Sequence, residues 1–573
     1  MNAFLDALSG AESRYIQVYT ALMRYLAPLI LMILLIRCMK TLLTFRREPE
    51  IWAWLCFPDG NRLPVTHWEN VIGRSRRCDI VIDYPSVSRN HAVFTRYDDG
   101  SWTVTDTNSK EGVRVNGKKM QICALNPEDI IDIGGVEMQL QPISRRQEQK
   151  LAQLRTRAPG GFTGAANLLL LSVFQLLCML GFLLGGDPSE GKGIVMGFGG
   201  LIALEWVVLI FYACISRTSF EIETIAFFLS TMGMAAIATV DPGEAVKQLA
   251  AVVLGVFTFL VIGWSLRDLE RAKVIRYLAT AAGLGFLVIT LLFGKEYYGA
   301  KNWLVIGGYS LQPSELAKVC FVYAGASTMD RLLNRRNLIL FIAYSAMICG
   351  CLALMNDFGT ALIFFTAFLV IAYLRSGSVG TIGLALTSVG FAGVVILKIA
   401  PHALRRFSTW RHIWESPLGA GYQQTRALMC LASGGMLGVG IGKGWMKYVF
   451  AADSDMVFAT LGEEWGLLVV VMLVGTVLTL ALFSLRTAQV ARSSFYTIGA
   501  CTAASILLMQ VILNVLGTVD VLPLTGVTFP FVSNGGTSMV ASWGLLAFLK
   551  AADTRQNASF AVRTSCTGGE TDE

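Results

Sequence analysis

Charge is scarce in this chain of 573 residues. Only 15% are Asp, Glu, Lys or Arg, against 54% hydrophobic, and the mean hydropathy is +0.56. A soluble domain carries about 25% charge. The deficit excludes a purely soluble enzyme, a disordered chain and a fibrous one. CxxC pairs are missing from the 12 cysteines. Several of these, Cys178, Cys214, Cys320 and Cys501, sit inside apolar runs and read as small core residues rather than zinc ligands or a disulfide framework. The Gly-rich run GVGIGKG at 438–444 lacks the Lys-Ser/Thr ending and the preceding strand of a P-loop. The opening MNAFLDALSGAESRY has no basic region before the first apolar stretch and no small-residue cleavage site after it, so a retained anchor is expected. The net charge of +7 fits basic loops on the cytoplasmic side of a membrane, and no nucleic acid is implied.

What is abundant is long apolar runs. A helix needs about 20 apolar residues to cross a hydrocarbon core of about 30 Å. Candidates lie near 24–43, 165–185, 194–215, 222–240, 246–265, 275–293, 314–329, 337–355, 358–374, 379–398, 460–484, 495–517 and 535–550. That predicts a mostly α, polytopic membrane protein of about thirteen helices. One alternating set of loops carries the basic residues, among them Arg46–Arg47, Arg145–Arg146, Arg267, Arg276, Arg335–Arg336 and Arg486. This set is expected in the cytoplasm with the C-terminus, which puts the N-terminus outside. The predicted divisions are an anchor at 1–49, a soluble insert at 50–143, a basic linker at 144–164, a polytopic body at 165–552 and a polar tail at 553–573. The loop 399–459 is basic on the wrong side for that rule. It carries His402, Arg405, Arg406, Arg411, His412, Arg426, Lys443 and Lys447. Either an anionic headgroup is bound there or the loop is simply a solvated basic face.

The insert differs in kind. Its apolar residues alternate, as in DIVIDY, HAVFTRY and SWTVTD, and PDG, DDG, NSKEG and NGKK break them into short strands. That pattern predicts an all-β sandwich on the cytoplasmic side. Gly73-Arg74, Ser88-Arg89-Asn90-His91, Asp106-Thr107-Asn108-Ser109, Gly112 and Val115-Asn116-Gly117 together resemble a forkhead-associated (FHA) domain, a phosphothreonine-reading module. The resemblance implies phosphopeptide binding by Arg74 and Ser88, with Arg89 and Ser109 beside them. It gives His91 a structural role. A guanidinium fork and a hydroxyl suit a phosphate dianion. Lys110 and Glu111 depart from the family pattern, which leaves a purely structural docking module as the other reading.

Polar residues at span edges mark five places in the body: Gln312-Pro313-Ser314-Glu315 through Lys318; Asn356-Asp357; the glycines of 419–444 with Tyr422 and Gln423; Asp453-Ser454-Asp455, running into Glu463-Glu464; and Pro530 through Ser538. Ionisable groups at such depths are usually functional. Glu315 and Lys318, at i and i+3, share a helix face and can pair, which is also what a helix-stabilising pair would do. Asp357 suits an N-cap as well as a site, and the glycines suit close helix packing. The expected topology places all five at the outer face.

QPSELAK, NDFGTA, SPLGAGYQ, SDMVFATLGEEWG and TFPFVSNGGTSM resemble, in order, the motifs of the SEDS family of cell-wall polymerases, the shape, elongation, division and sporulation proteins. The resemblance spans roughly 220–550. With a family core of about ten helices, it implies about two extra spans besides the first anchor. It implies a peptidoglycan glycosyltransferase that polymerises lipid II at the outer leaflet and works with a class B penicillin-binding transpeptidase. Carried over by position, Asp455, Glu315, Lys318 and Asp357 are the catalytic candidates. Asn356, Arg426, Asp453 and Asn534 depart from the family's usual residues. Asp455 is expected as general base for the acceptor hydroxyl, with Lys318 tuning it. Arg405, Arg406 and Lys443 are candidates for the pyrophosphate, and Gln423, Ser533 and Thr537 for substrate binding. A divalent cation, Mg2+ or Mn2+, would suit a diphosphate, though no ligand cluster in the sequence marks one and no metal site is assigned. The competing expectation is a flippase for a lipid-linked precursor, which would use the same polar cavity. The insert implies a cytoplasmic phosphothreonine protein, linked to a Ser/Thr kinase, as a second partner.

Overall fold

The computed structural model describes residues 13–44, 50–144, 161–184, 190–327, 335–376 and 401–555, save a few single positions, with scattered positions beyond. Most of the span expected at 379–398, of the basic linker and of the tail lies outside the described residues.

The insert is a sandwich of eleven short strands. One sheet has the order β2 (Arg62–Val65), β1 (Ala53–Cys56), β11 (Val136–Pro142), β10 (Ile130–Ile133), β7 (Val113–Val115), β8 (Lys118–Met120), and the other the order β4 (Ile80–Val81), β3 (Glu69–Gly73), β5 (Ala92–Arg96), β6 (Trp102–Asp106), β9 (Ile122–Leu125). The strands that matter below are β3 (Glu69–Gly73), β5 (Ala92–Arg96) and β6 (Trp102–Asp106). The alternation read in the sequence is the alternation of burial: Leu55, Ile72, Phe94, Val104, Ile131 and Leu140 fill the space between the sheets.

Among the described residues, nine helices are long and apolar enough to cross a membrane. They are α1 (Ser13–Leu43), α2 (Gly161–Leu183), α3 (Gly191–Cys214), α4 (Glu221–Val240), α5 (Ala245–Leu266), α6 (Leu269–Phe293), α9 (Phe358–Ser376), α13 (Leu467–Ala488) and α14 (Ser494–Thr518). Shorter helices complete the body: α7 (Pro313–Ser327), α8 (Arg335–Leu354), α10 (Pro401–Thr409), α11 (Tyr422–Gly434), α12 (Val457–Trp465) and α15 (Gly536–Ala552). The helix α4 is buried from Glu221 to Thr239 and forms the axis on which α1, α2, α3, α5, α12, α13 and α15 pack. Its apolar residues run all the way round, which is the pattern of a buried helix. At one end Lys550 of α15 pairs with Glu223 at 3.0 Å, and Arg555 pairs with Asp553 at 2.7 Å and Glu221 at 3.4 Å. Leaving any one of these buried charges unpaired would be costly, so the cluster locks the last helix onto the first turn of α4.

One expectation needs correction. The span expected at 460–484 is two elements. Gly466, at φ +85°, ends α12, and α13 starts at Leu467. A side chain at 466 would collide with the backbone of Met436 through Gly438, so this close approach and the positive φ both require glycine. The stretch 294–312, between two expected spans, contains a three-stranded sheet of β12 (Lys295–Tyr297), β13 (Ala300–Ile306) and β14 (Tyr309–Leu311). Its second turn, Gly307-Gly308, has φ of +59° and +85°, the two left-handed positions a tight hairpin needs.

Candidate active site

The five polar places meet at one end of the helical body, and the segment between α14 and α15 gathers them. Ser533 Oγ donates to the Ser454 carbonyl at 2.7 Å. The Asn534 backbone N–H donates to the Asp453 carbonyl at 2.7 Å, and its side-chain amide to Asp453 Oδ2 at 2.7 Å. Thr537 Oγ1 accepts from the Gln312 N–H at 3.3 Å, which ties the start of α15 to the start of α7. Gly359 of α9 packs so closely on Thr525 and Val527 that a Cβ would lie 2.9 Å from Val527 Cγ2. From α10, Arg406 Nη1 donates to the Thr525 carbonyl at 3.0 Å.

Asp455 sits at the centre of this arrangement. Asn514 of α14 donates to its main-chain carbonyl at 3.0 Å and to the Val527 carbonyl at 2.8 Å. Gly526 has φ +69°, and a Cβ there would lie 3.2 Å from Asp455 Oδ2. The carboxyl is therefore fixed through its backbone and faces a wall of main chain. Burial pushes its pKa up to about 6; Arg406 pulls it down, and Asp453 and Asp357 push it further up. The cation acting on Asp455 is thus Arg406. The Lys318 ammonium is taken up by Glu315 at 2.6 Å, with both side chains buried on one face of α7 as the i, i+3 spacing predicts.

Asp357 does what a capping residue does. Its Oδ1 accepts from the Thr360 N–H at 3.1 Å, and its Oδ2 from the Asn302 amide at 3.1 Å. Several candidate binders are committed to holding loops. Ser533 Oγ also accepts from the Phe529 N–H at 2.8 Å, and Gln423 donates to the Phe450 carbonyl at 3.0 Å. Glu463 accepts from the Met446 N–H at 2.7 Å, and Glu464 from the Gly444 N–H at 3.2 Å, so the two glutamates brace the Gly-rich turn. Lys443 is exposed on that turn, where Gly440 abuts Thr20 of α1. The side chain of Arg405 lies outside the described residues. Among the described residues no three His, Cys, Asp or Glu side chains gather to hold a metal ion.

Two residues of the site escaped the sequence reading. Asn514 carried a usable signal, a polar amide deep in an apolar run. Asn302 carried a weaker one, because its stretch was not read as a hairpin.

In the insert, the implied phosphopeptide residues line turns at one end of the sandwich. Arg74, Arg76, Arg89 and Lys110 are exposed there. The Arg74 N–H donates to the Ser88 carbonyl at 3.0 Å, and Ser88 Oγ accepts from the Lys110 N–H at 3.1 Å. Ser109 Oγ donates to Asp106 at 2.6 Å and accepts from the Gly112 N–H at 3.0 Å, so it shapes the turn. His91 is fully buried between the Ser88 N–H and the Gly112 carbonyl, both at 3.1 Å, which is a structural role.

Comparisons with known proteins agree with this anatomy. A family model described as cell cycle protein, of FtsW/RodA/SpoVE type, matches residues 214–558, and the FHA domain model matches 70–134. The peptidoglycan glycosyltransferase RodA of Mycobacterium bovis is 32% identical over 324 residues, covering 53% of this chain and 69% of that protein. The probable peptidoglycan glycosyltransferase FtsW of Tolumonas auensis is 31% identical over 311 residues, covering 51% of this chain and 80% of that protein. A solved structure from work on the structural coordination of polymerization and crosslinking by a peptidoglycan synthase complex has the same fold. It covers 58% of this chain and 96% of its own, with a TM-score of 0.50 and 24% identity. The insert and α1–α3 lie almost wholly ahead of the matched body. The chain belongs to the FtsW/RodA/SpoVE family, and its insert is an FHA domain.

Proposed function

We propose that this membrane protein is a peptidoglycan glycosyltransferase that joins lipid-linked disaccharides at the outer face of the cytoplasmic membrane, with Asp455 as general base. The 4-hydroxyl oxygen of the acceptor sugar attacks the anomeric carbon of the donor. The bond from that carbon to polyprenyl pyrophosphate breaks, and the hydroxyl proton passes to Asp455. The diphosphate leaves with the bonding pair, and Arg406 neutralises part of its charge. An alcohol is a poor nucleophile at neutral pH, and a positioned base contributes about 10²- to 10⁴-fold. One observation carries the reading: a partly buried carboxyl with a pKa near 6, faced by one arginine, in a site built from five separated segments. A base with that pKa is ionised at neutral pH yet still holds a proton well. Glu315 and Lys318 position the start of α7 rather than touch the reacting atoms. The flippase reading is the weaker one, because the carboxylates gather at one end of the body and not at mid-bundle.

The purified chain with lipid II as its only substrate should yield glycan strands on a gel, and lipid movement without strands would refute the enzyme. The loop charges support an outer site and a cytoplasmic FHA domain. A cysteine introduced at 455 and labelled only from the cytoplasm would overturn that sidedness. A class B penicillin-binding transpeptidase is the crosslinking partner this chemistry calls for. For the FHA domain the partner is a cytoplasmic phosphothreonine protein under Ser/Thr kinase control, held by Arg74 and Ser88. Arg74→Ala should lower the affinity of the full chain for phosphothreonine peptides by about tenfold or more. Equal affinity would remove Arg74 from that role.

A further inference from the structure

The FHA domain touches the helical body at a definite place. His67, in the turn before β3, has Nδ1 2.8 Å from the Ala491 carbonyl oxygen. Glu69, the first residue of β3, accepts from the Ser493 hydroxyl at 2.8 Å and from the Ser494 N–H at 3.0 Å. Ser493 is the N-cap of α14 and itself accepts from the Phe495 N–H at 3.2 Å. A helix start leaves donors unpaired and carries partial positive charge. The carboxylate of Glu69 answers both needs, so α14 is capped jointly by its own serine and by a residue of another domain.

Each partner of this contact leads to a functional end. Strand β3 runs from Glu69 to Gly73, and Arg74 follows; at about 3.3 Å per residue the two ends lie about 13 Å apart. The docked end and the recognition turns are thus opposite ends of one strand. Docking leaves Arg74, Arg76, Arg89 and Lys110 exposed. The 25 residues of α14 span about 37 Å. At the far end of α14, Asn514 holds the Asp455 and Val527 carbonyls, and the Gly517 carbonyl accepts from Gln424 at 2.9 Å. Between the two ends α14 is wedged: Tyr496 Oη donates to the Leu266 carbonyl at 2.8 Å, and Gly499 lies against Phe548. A regular helix packed this closely shifts as a body rather than bending.

We propose that the His67–Glu69 edge of the FHA domain is a docking surface for Ala491, Ser493 and Ser494 of the same chain, and that Glu69 is a positioning residue that sets α14, and through Asn514 the loop bearing Asp455. The catalytic half of this rests on the reading of Asp455 above; the docking half does not.

The test uses the full chain in lipid nanodiscs with lipid II. Glu69→Lys places an ammonium at the positive end of α14. It should lower kcat by about 2- to 30-fold with KM unchanged, and speed amide exchange at 494–497 and at 453–456. Glu69→Asp, which keeps the charge, should restore most of the rate. Faster exchange at 494–497 with kcat and 453–456 at wild-type values would show a tether that positions nothing. Unchanged exchange at both would remove the docking surface. If Glu69→Lys unfolds the insert, exchange rises throughout its strands, and Ser493→Ala, made outside the insert, must then give the kcat and exchange changes or the proposal fails. The exchange at 453–456 is read without substrate, so a wrong assignment of the base does not disturb it.

Discussion

Replacing Asp455 by Asn should inactivate the protein and stabilise it at once. Asn keeps the shape and removes the charge. The folded-state pKa of about 6 stands above the ordinary 3.8 because burial and two nearby aspartates disfavour the anion more than Arg406 favours it. The shift of roughly two units corresponds to about 3 kcal/mol, an upper bound for a site that is partly open. The sign follows from which state binds the proton more tightly. The folded protein does, so stability is highest below the unfolded pKa. It falls as pH rises from about 4 to 6 and stays lowered above that. At pH 7.5 the native chain carries the full penalty and Asp455→Asn carries none. Its apparent unfolding midpoint in detergent should be higher by a few degrees at pH 7.5, and the gap should close near pH 4. Strand synthesis from lipid II should meanwhile fall by about 10²- to 10⁴-fold. A variant that polymerises at near-native rate would refute the base. A stability gain of the same size at pH 4 and pH 7.5 would refute the electrostatic account of the raised pKa.

Other outcomes follow from the same geometry. The kcat/KM for lipid II should rise with pH along an acidic limb centred near 6, the pKa of Asp455; a flat profile between pH 5 and 7 would count against it. Lys318→Ala leaves Glu315 buried and unpaired and should destabilise by about 3–5 kcal/mol, whereas Glu315→Gln with Lys318→Met should recover most of that loss in thermal unfolding. Gly526→Ala puts a methyl group 3.2 Å from the Asp455 carboxyl at a positive φ; kcat should drop sharply while the protein still folds, as size-exclusion profiles would report.

The nine long apolar helices among the described residues were legible because hydropathy over 20 residues is a strong signal, and the FHA sandwich because its strands alternate cleanly between turn motifs. The break at Gly466 was not, since it is imposed by the backbone of 436–438, some thirty residues away in sequence. The pairing of Glu315 with Lys318 was legible from its spacing, and so was the meeting of the segments that carry Asp357, Asp455 and Ser533 at one end of the body. The division of labour was not. Ser533, Thr537 and Gln423 can each bind a ligand or tie a loop, and only the three-dimensional placement of the Phe529, Gln312 and Phe450 main chain shows that they tie loops. The same holds for the cations. Lys318 and Arg406 are both plausible neighbours of Asp455 in sequence, and it is the docking of α10 onto the Thr525 carbonyl that brings in Arg406.

The helix ends add to what Arg406 offers at the proposed diphosphate site. The helices α7, α9, α12 and α15 all begin at the site, at Pro313, Phe358, Val457 and Gly536. Each start carries partial positive charge, so together they favour an anion without a full cation. Asp357 caps one of these starts, accepting the Thr360 N–H at the beginning of α9. Asp455 does not. Met456 is the N-cap of α12, and among the described residues the Asp455 carboxyl accepts no hydrogen bond. Burial then outweighs the helix field and its pKa rises. Asp357 and Asp455 are thus given different roles by the backbone: Asp357 caps a helix and anchors it, and Asp455, held through its carbonyl, keeps its carboxyl for the proton.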